Sequence, residues 1–257
     1  MRYVFGLVCV CALGVMPLIG CSDGNGDGGT GGTAGTGGTA GTGGGDTTTL
    51  SGVITEFDPG GPLEALEGVE ICVTDTENCV MTDEQGAATM QVPTNQEISV
   101  TLIKEGYAQY LVPLVATEAT IPIPFGMATV QRIEDMHGLV MSPYPMEGTG
   151  DIAISAPGGN AFEGATFDLG AMEGQVFYYD DEGNWNADFA STTDYAGGPW
   201  GGFTEVNPGE VQVEIGGTAQ NCERVSVSGW PGDAANSVRM PVREGFLSSI
   251  QVTCDAP

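Results

Sequence analysis

Apolar and polar residues alternate along most of the chain after residue 49, in the pattern of half-buried β-strands. Residues 69–73, 88–92 and 98–102 each place apolar side chains at every second position. Turn-forming Asp, Asn, Gly and Pro separate these runs, and no helical stripe of useful length interrupts them. We therefore predict an all-β domain over residues 49–126.

A second series of short apolar runs occupies residues 127–257, again with Gly and Pro in the gaps. This pattern predicts a second β-sandwich domain in tandem with the first. An immunoglobulin-like topology is the alternative for this domain. The strand candidates are residues 152–156, 175–181, 211–215, 224–230, 237–242 and 246–254.

Residues 21–48 form a low-complexity run of Gly, Thr and Ala, without side chains able to build a hydrophobic core. A random coil of this length has a mean reach of about 30 Å. We predict a disordered, flexible linker ahead of the two folded domains.

The chain begins with one basic residue, Arg2, and an apolar run over residues 3–19. This is typical of a secretory signal peptide, which we assign to residues 1–20. An uncleaved transmembrane segment is the alternative, although the run is barely long enough to span a bilayer. Residues 18–21 read Leu-Ile-Gly-Cys and resemble the lipobox of bacterial lipoproteins. The resemblance implies cleavage before Cys21 and acylation of that cysteine.

Acylation of Cys21 makes the lipid bilayer the first partner that the sequence predicts. One acyl chain anchors a protein only marginally, whereas the three chains implied by the lipobox hold it durably. Ser22 follows the cysteine, in the place where an aspartate is associated with retention in the inner membrane. By this similarity we expect a lipid-anchored outer-membrane protein that faces the periplasm or the cell surface.

Cysteine usage agrees with an oxidising compartment outside the cytosol. Of the seven cysteines, two lie in the signal peptide and one is the acylation candidate. The other four fall as two near pairs, so Cys72–Cys79 and Cys222–Cys254 are the economical disulfides among the three pairings that four cysteines allow. A structural zinc site is the competing use, but the C-x-x-C spacing that it prefers is absent from the sequence.

Four short motifs follow one another in the first domain. They are Gly-Val at 52–53, a Pro-Leu to Gly-Val approach over 62–69, Thr-Asp-x-x-Gly at 82–86 and Lys-x-Gly-Tyr at 104–107. In this order they resemble the carboxypeptidase regulatory-like domain of the transthyretin type. The resemblance implies a seven-stranded sandwich that serves as scaffold, spacer or binding module without chemistry of its own. The second domain resembles a diverged copy that lacks the Thr-Asp-x-x-Gly turn.

The charge balance excludes several classes of partner. The chain has 34 acidic and 6 basic residues, a formal net charge of −28. Because nucleic-acid binding depends on Lys and Arg at the phosphate backbone, we exclude nucleic acids as partners. A polybasic contact with anionic lipids is excluded for the same reason.

The sequence offers little for catalysis. His137 is the one histidine of the chain, so a multi-histidine metal site is excluded. A Ser-His-Asp triad needs one histidine, but no G-x-S-x-G or similar serine context is present. We expect His137 to be an exposed residue between the two domains, and we predict that the protein is not an enzyme.

The acidic run Asp180, Asp181 and Glu182 precedes a glycine and is the best candidate for a metal site. Hard oxygen ligands around a glycine turn suit Ca²⁺, although this run departs from the calcium-loop pattern. A solvated β-turn explains the same residues. No other cofactor is indicated.

Aromatic residues concentrate in the same region, with Trp185, Tyr195 and Trp200 interleaved with Gly, Asp and Asn. An aromatic face on a polar loop is one way in which a sandwich binds a glycan or a partner protein, and core packing is the alternative. We therefore interpret the chain as an envelope lipoprotein that serves as a non-enzymatic binding or structural module. The alternative function is carbohydrate- or calcium-dependent recognition at the cell surface.

Overall fold

The computed structural model of the chain describes residues 46–57, 63–116, 120–155, 163–193, 200–224 and 228–255, with side chains undescribed at 120–124, 220–224 and 255. All of these residues belong to one unit, Gly43–Pro257. The predicted signal peptide, Cys21 and Tyr195 lie outside the described residues, as does most of the predicted linker.

The described part of the chain contains seventeen strands and one helix, so the prediction of an all-β fold is confirmed, with one helical exception. The elements are β1 (Thr47–Glu56), β2 (Glu70–Val73), β3 (Cys79–Met81), β4 (Ala87–Pro93), β5 (Glu97–Ile103), β6 (Gln109–Val115), β7 (Thr120–Met127), α1 (Val130–Val140), β8 (Gly150–Ser155), β9 (Ala165–Asp168), β10 (Gln175–Tyr179), β11 (Trp185–Asn186), β12 (Trp200–Val206), β13 (Gly209–Gly217), β14 (Gln220–Arg224), β15 (Trp230–Pro231), β16 (Ser237–Val242) and β17 (Phe246–Asp255).

Three sheets organise these strands. The largest has ten strands, nine of them in the order β11-β10-β12-β8-β17-β6-β5-β2-β3, with β14 also paired to β17. The other two sheets have the orders β4-β1-β7 and β15-β16-β13-β9. Strands from both predicted domains therefore share the large sheet. The domain boundaries of 49–126 and 127–257 stay a prediction.

Two hydrophobic cores lie against the large sheet. The first contains side chains of β1 and β4, of β2, β5 and β6, and of α1. The second contains side chains of β9, β13 and β16 together with those of β8, β10, β12 and β17. Because neighbouring residues of a strand point to opposite faces, β10 contributes Phe177 and Tyr179 to the first core and Tyr178 to the second.

Strand β17 joins the two halves of the large sheet. It runs parallel to β6 on one side and parallel to β8 on the other, so that Leu247 lies opposite both Tyr110 and Asp151. Leu247 packs in the first core and Ile250 in the second. A single strand therefore contributes to both cores.

Helix α1 lies at the start of the second predicted domain, just after the boundary at residues 126–127. Its N-cap is Thr129, whose side chain accepts a hydrogen bond from the backbone N–H of Arg132, and its C-cap is Met141 in the left-handed conformation. The buried face repeats at helical spacing and consists of Ile133, Met136, His137 and Val140. Among the described helical residues, none form a helix long and apolar enough to cross a bilayer.

The predicted Cys72–Cys79 disulfide is confirmed. The two cysteines lie directly opposite each other on β2 and β3, with Cα atoms 4.1 Å apart, across the turn that the sequence predicts. Cys254 is also disulfide-bonded. It lies on β17, which pairs with β14, the strand that contains Cys222. The Cys222–Cys254 pairing itself stays a prediction.

The burial of Ile250 leads to a test of β17 as the strand that joins the two halves of the large sheet. Ile250 is fully buried in the second core, so we expect Ile250→Ala to lower the free energy of unfolding by about 2–5 kcal/mol. The measurement is urea unfolding followed by circular dichroism. Leu139→Ala, at an exposed position of α1, is the control and should change stability by no more than about 0.5 kcal/mol. Similar small effects for both variants would contradict the role assigned to β17.

Candidate functional site

His137 is buried, so the expectation of an exposed histidine between domains is wrong. Its side chain is 1% exposed, and it lies on the buried face of α1. Its Nε2 atom is 2.8 Å from Oδ2 of Asp151, which is fully buried at the start of β8. Its Nδ1 atom is 3.2 Å from Oγ of Ser142. The three side chains connect the helix, the loop that follows it and the large sheet.

Burial raises the pKa of the Asp151 carboxyl, and the hydrogen bond and charge of His137 oppose this shift. The backbone N–H of Glu205 also favours the charged carboxylate. Oδ1 nevertheless has no hydrogen-bond partner of good geometry among the described residues. Both side chains of the pair are buried. Removing one of them would therefore leave the other as an unpaired polar group inside the protein.

The Ser142, His137 and Asp151 arrangement fits a structural role. An imidazole protonated on Nε2 donates to Asp151 and accepts from the Ser142 hydroxyl through Nδ1, so both ring nitrogens are engaged. Ser142 is itself buried. None of the three residues lines the cavity that lies between α1 and the β10–β11 turn. The sequence did not predict this group of three side chains, because the burial of α1 depends on its packing against the large sheet.

Trp185 lies in the first core rather than on an exposed ligand-binding face. Its indole ring stacks on Phe177 with centroids 4.0 Å apart and planes 17° apart, and only 2% of the residue is exposed. Trp200 is half-buried and packs against Tyr179 at a centroid distance of 5.8 Å. Glycan binding by these aromatic residues and by Tyr195 stays a prediction, with Trp185 supporting the core-packing alternative.

Asp180 organises the turn between β10 and β11. Its Oδ1 atom accepts hydrogen bonds from the backbone N–H groups of Glu182 and Asn184, at 2.9 and 2.8 Å. Asp181 and Glu182 are exposed. This geometry is that of an Asx-type turn, which is the alternative to a calcium site at these positions. Calcium binding stays a prediction.

One group of metal-ligating residue types converges within the described part of the chain. It consists of Glu70, Cys72 and Cys79, whose ligand atoms lie within 4.8 Å of one another. Both cysteines belong to the disulfide, so neither offers the thiolate that a metal requires. The group therefore does not form a metal site in the oxidised protein.

A cavity of about 60 Å³ lies where α1 and the β10–β11 turn meet the large sheet. Arg132 lies at this cavity, and its Nη2 atom donates to the carbonyl oxygen of Gly183 at 2.8 Å. The contact joins the first turns of α1 to the Asp180 turn. The remaining lining residues are Phe57, Tyr110, Gly126, Ala128, Ile133, Met136, Ala153, Tyr179, Trp185, Trp200, Leu247 and Ser249.

Sequence reasoning did not identify this cavity. Its lining comes from eight strands or their flanks and from one helix, which are far apart in the chain. The one signal within the sequence was Arg132, a rare basic residue in a strongly acidic chain. Its proximity to the aromatic side chains depends on the pairing of β10 and β12 and on the packing of α1.

Comparisons with known proteins give weak structural similarities. No family model and no curated protein matches the chain. The Bacillus anthracis TIE protein aligns at 12% identity and TM-score 0.24 over 81% of this chain and 34% of that chain. Thus the present chain spans about a third of the TIE protein's length. The shaft pilin spaA of Lactobacillus rhamnosus GG aligns at 11% identity and TM-score 0.25, over 82% and 99% of the two chains. GBS52, the minor pilin of Streptococcus agalactiae, aligns at 12% identity and TM-score 0.23, over 82% of this chain and 96% of that chain.

The buried pair gives a direct test of its structural role. Asp151→Ala leaves Nε2 of His137 without its partner, so we expect the free energy of unfolding to fall by about 2–5 kcal/mol. Asp151→Asn keeps an acceptor oxygen of nearly the same shape and should lose less. Urea unfolding at neutral pH measures both variants. An Asp151→Ala protein with wild-type stability would contradict the assignment.

The placement of Trp185 separates core packing from ligand binding. We expect Trp185→Ala to destabilise the fold by about 3–5 kcal/mol, because it removes a buried ring that stacks on Phe177. Trp185→Phe, which keeps an aromatic ring, is the matched control and should lose much less. Thermal unfolding and retention on a polysaccharide array provide the two measurements. Unchanged stability with loss of glycan retention would show that Trp185 is a ligand contact instead.

Proposed function

We propose that the chain is an envelope lipoprotein, anchored in the outer membrane through acylated Cys21, whose β-rich body is a non-enzymatic binding or structural module. The observation that carries the proposal is the Leu-Ile-Gly-Cys sequence of residues 18–21 at the end of an apolar run. Palmitate is a suitable label for such an anchor, because fatty acids of this kind are attached to lipobox cysteines.

The disulfides support a location outside the cytosol. Cys72 and Cys79 are bonded to each other, and Cys254 is bonded as well. Such bonds persist in oxidising compartments and are rare in reducing ones. The net charge of −28 supports a soluble body that repels anionic surfaces. Both features are expected of a domain held outside the inner membrane.

A non-enzymatic role is supported by the placement of the one histidine. Both ring nitrogens of His137 are engaged by buried partners. A general base needs hydrogen-bond access to a substrate proton, and this imidazole is 1% exposed. The histidine therefore serves the fold, and the proposed function does not require it to react.

The arrangement of the first seven strands supports the carboxypeptidase regulatory-like resemblance. Strands β1 to β7 occupy residues 47–127 and fall into two groups, β4-β1-β7 and β6-β5-β2-β3. Side chains of both groups share the first core. Two groups of strands over one core agree with the sandwich that the motifs imply, and we propose membership of that domain type for residues 49–126.

Growth with radiolabelled palmitate tests the anchor. We expect the wild-type protein to carry the label and to sediment with outer membranes after density separation. Cys21→Ser removes the sulfur that receives the lipid, so its label should fall to background and the protein should leave the membrane fraction. Cys11→Ser, a substitution inside the signal peptide, is the matched control and should keep the label. An unlabelled wild-type protein, or a labelled Cys21→Ser variant, would overturn the proposal.

A further inference from the structure

We propose that the cavity between α1 and the β10–β11 turn binds a small carboxylic acid, with the carboxylate on Arg132 and the alkyl part against the aromatic wall. This ligand site goes beyond the envelope function proposed above, and it does not depend on the lipid anchor. Three features of the cavity support it, which are an uncompensated cation, buried donors without acceptors and an apolar wall of limited size.

Arg132 is a cation without a carboxylate partner in the described structure. The arginines in and just after β16 are paired, since Arg239 binds Glu97 and Glu210 while Arg243 binds Asp75. The Arg132 side chain instead donates one hydrogen bond to a backbone carbonyl, and no described carboxylate lies within ion-pair distance of it. It is half-buried at the cavity. An arginine binds a carboxylate well, because the guanidinium presents parallel N–H groups to the two oxygens.

Two further donors of the cavity lining lack acceptors. The indole Nε1–H of Trp185 is buried and has no hydrogen-bond partner among the described residues. The hydroxyl of Tyr110 accepts from the backbone N–H of Ala128 at 3.0 Å, but no described residue accepts its own proton. Buried donors are normally paired, and an indole N–H has no acceptor capacity of its own. These groups favour a ligand that is rich in acceptor oxygens.

The remaining lining limits the ligand to a small molecule with an apolar part. Phe57, Ile133, Met136 and Leu247 provide the apolar wall. The cavity volume of about 60 Å³ corresponds to roughly four or five water-sized positions. This space accommodates a carboxylate with a short alkyl chain.

The charge of the chain favours a singly charged ligand. Arg132 is the only basic residue in the described lining, and the net charge of the chain is −28. A doubly charged phosphate would therefore be repelled more strongly than a monocarboxylate. Butyrate combines one negative charge, two acceptor oxygens and a short alkyl chain, so it is a suitable probe.

The experiment titrates the full chain with sodium butyrate, in calorimetry and in thermal unfolding at constant ionic strength. We expect saturable heat and a melting temperature that rises with butyrate concentration. Butyramide, which has the same shape without the charge, and inorganic phosphate should give neither effect. No saturable binding of butyrate, or equal binding of butyramide or phosphate, would overturn the proposal.

Two variants assign the binding to this cavity. Arg132→Gln should weaken butyrate binding by about tenfold or more, since it removes a charge-assisted contact. Arg243→Gln removes an exposed arginine elsewhere and is the matched control, with unchanged affinity expected. Trp185→Phe removes the indole donor while keeping an aromatic ring, and it should also weaken binding.

Circular dichroism establishes that each variant is folded, and Trp185→Phe tests the site independently should Arg132→Gln fail to fold. Wild-type affinity in both cavity variants would place any butyrate binding elsewhere and would refute the assignment. Cys21→Ser should bind butyrate as the wild type does, which separates failure of the ligand site from failure of the anchor.

Discussion

The pairing of β17 with both β6 and β8 is the constraint on which the rest of the fold depends. Without this strand the large sheet would be divided between β6 and β8, because no other strand pairs with both of them in the described structure. The hydrogen bonds of β17 therefore determine the relative position of strands that are some forty residues apart in sequence. They also fix which face each residue of β17 presents, so that Leu247 and Ile250 contribute to different cores.

Side-chain contacts also connect the two halves of the described structure. The indole N–H of Trp230 donates to the carbonyl oxygen of Ile98, and Arg239 bridges Glu97 and Glu210. The ion pairs are partly exposed, so they contribute little stability individually. Their value lies in position: the Arg239–Glu97 pair and the Trp230 hydrogen bond join β5 to strands that follow residue 200, whereas the Arg239–Glu210 pair joins β16 to β13. Together with the shared sheet, these contacts make the two halves of the described structure interdependent.

Local sequence was sufficient to predict about half of the described strands but insufficient to predict how they combine. Period-two alternation predicted β2, β4 and β5, and the closeness of Cys72 and Cys79 in sequence predicted their disulfide. The sharing of one sheet by both halves rests on contacts between distant residues, which alternation does not encode. Helix α1 was missed because Ile133, Met136 and Val140 form only a short apolar face around a glycine. His137 was misplaced for the same reason, since its burial follows from that helix.

The cavity is a consequence of this architecture. Helix α1 covers the large sheet beside β17 and approaches the Asp180 turn through the contact of Arg132 with Gly183. The aromatic side chains at this junction come from different strands, and together with α1 they enclose the cavity. Trp185 and Tyr110 belong to the first core and also line the cavity, and no described residue accepts the indole N–H or the phenol proton. The proposed binding site therefore depends on the junction as a whole, since both α1 and the strands contribute residues to its lining.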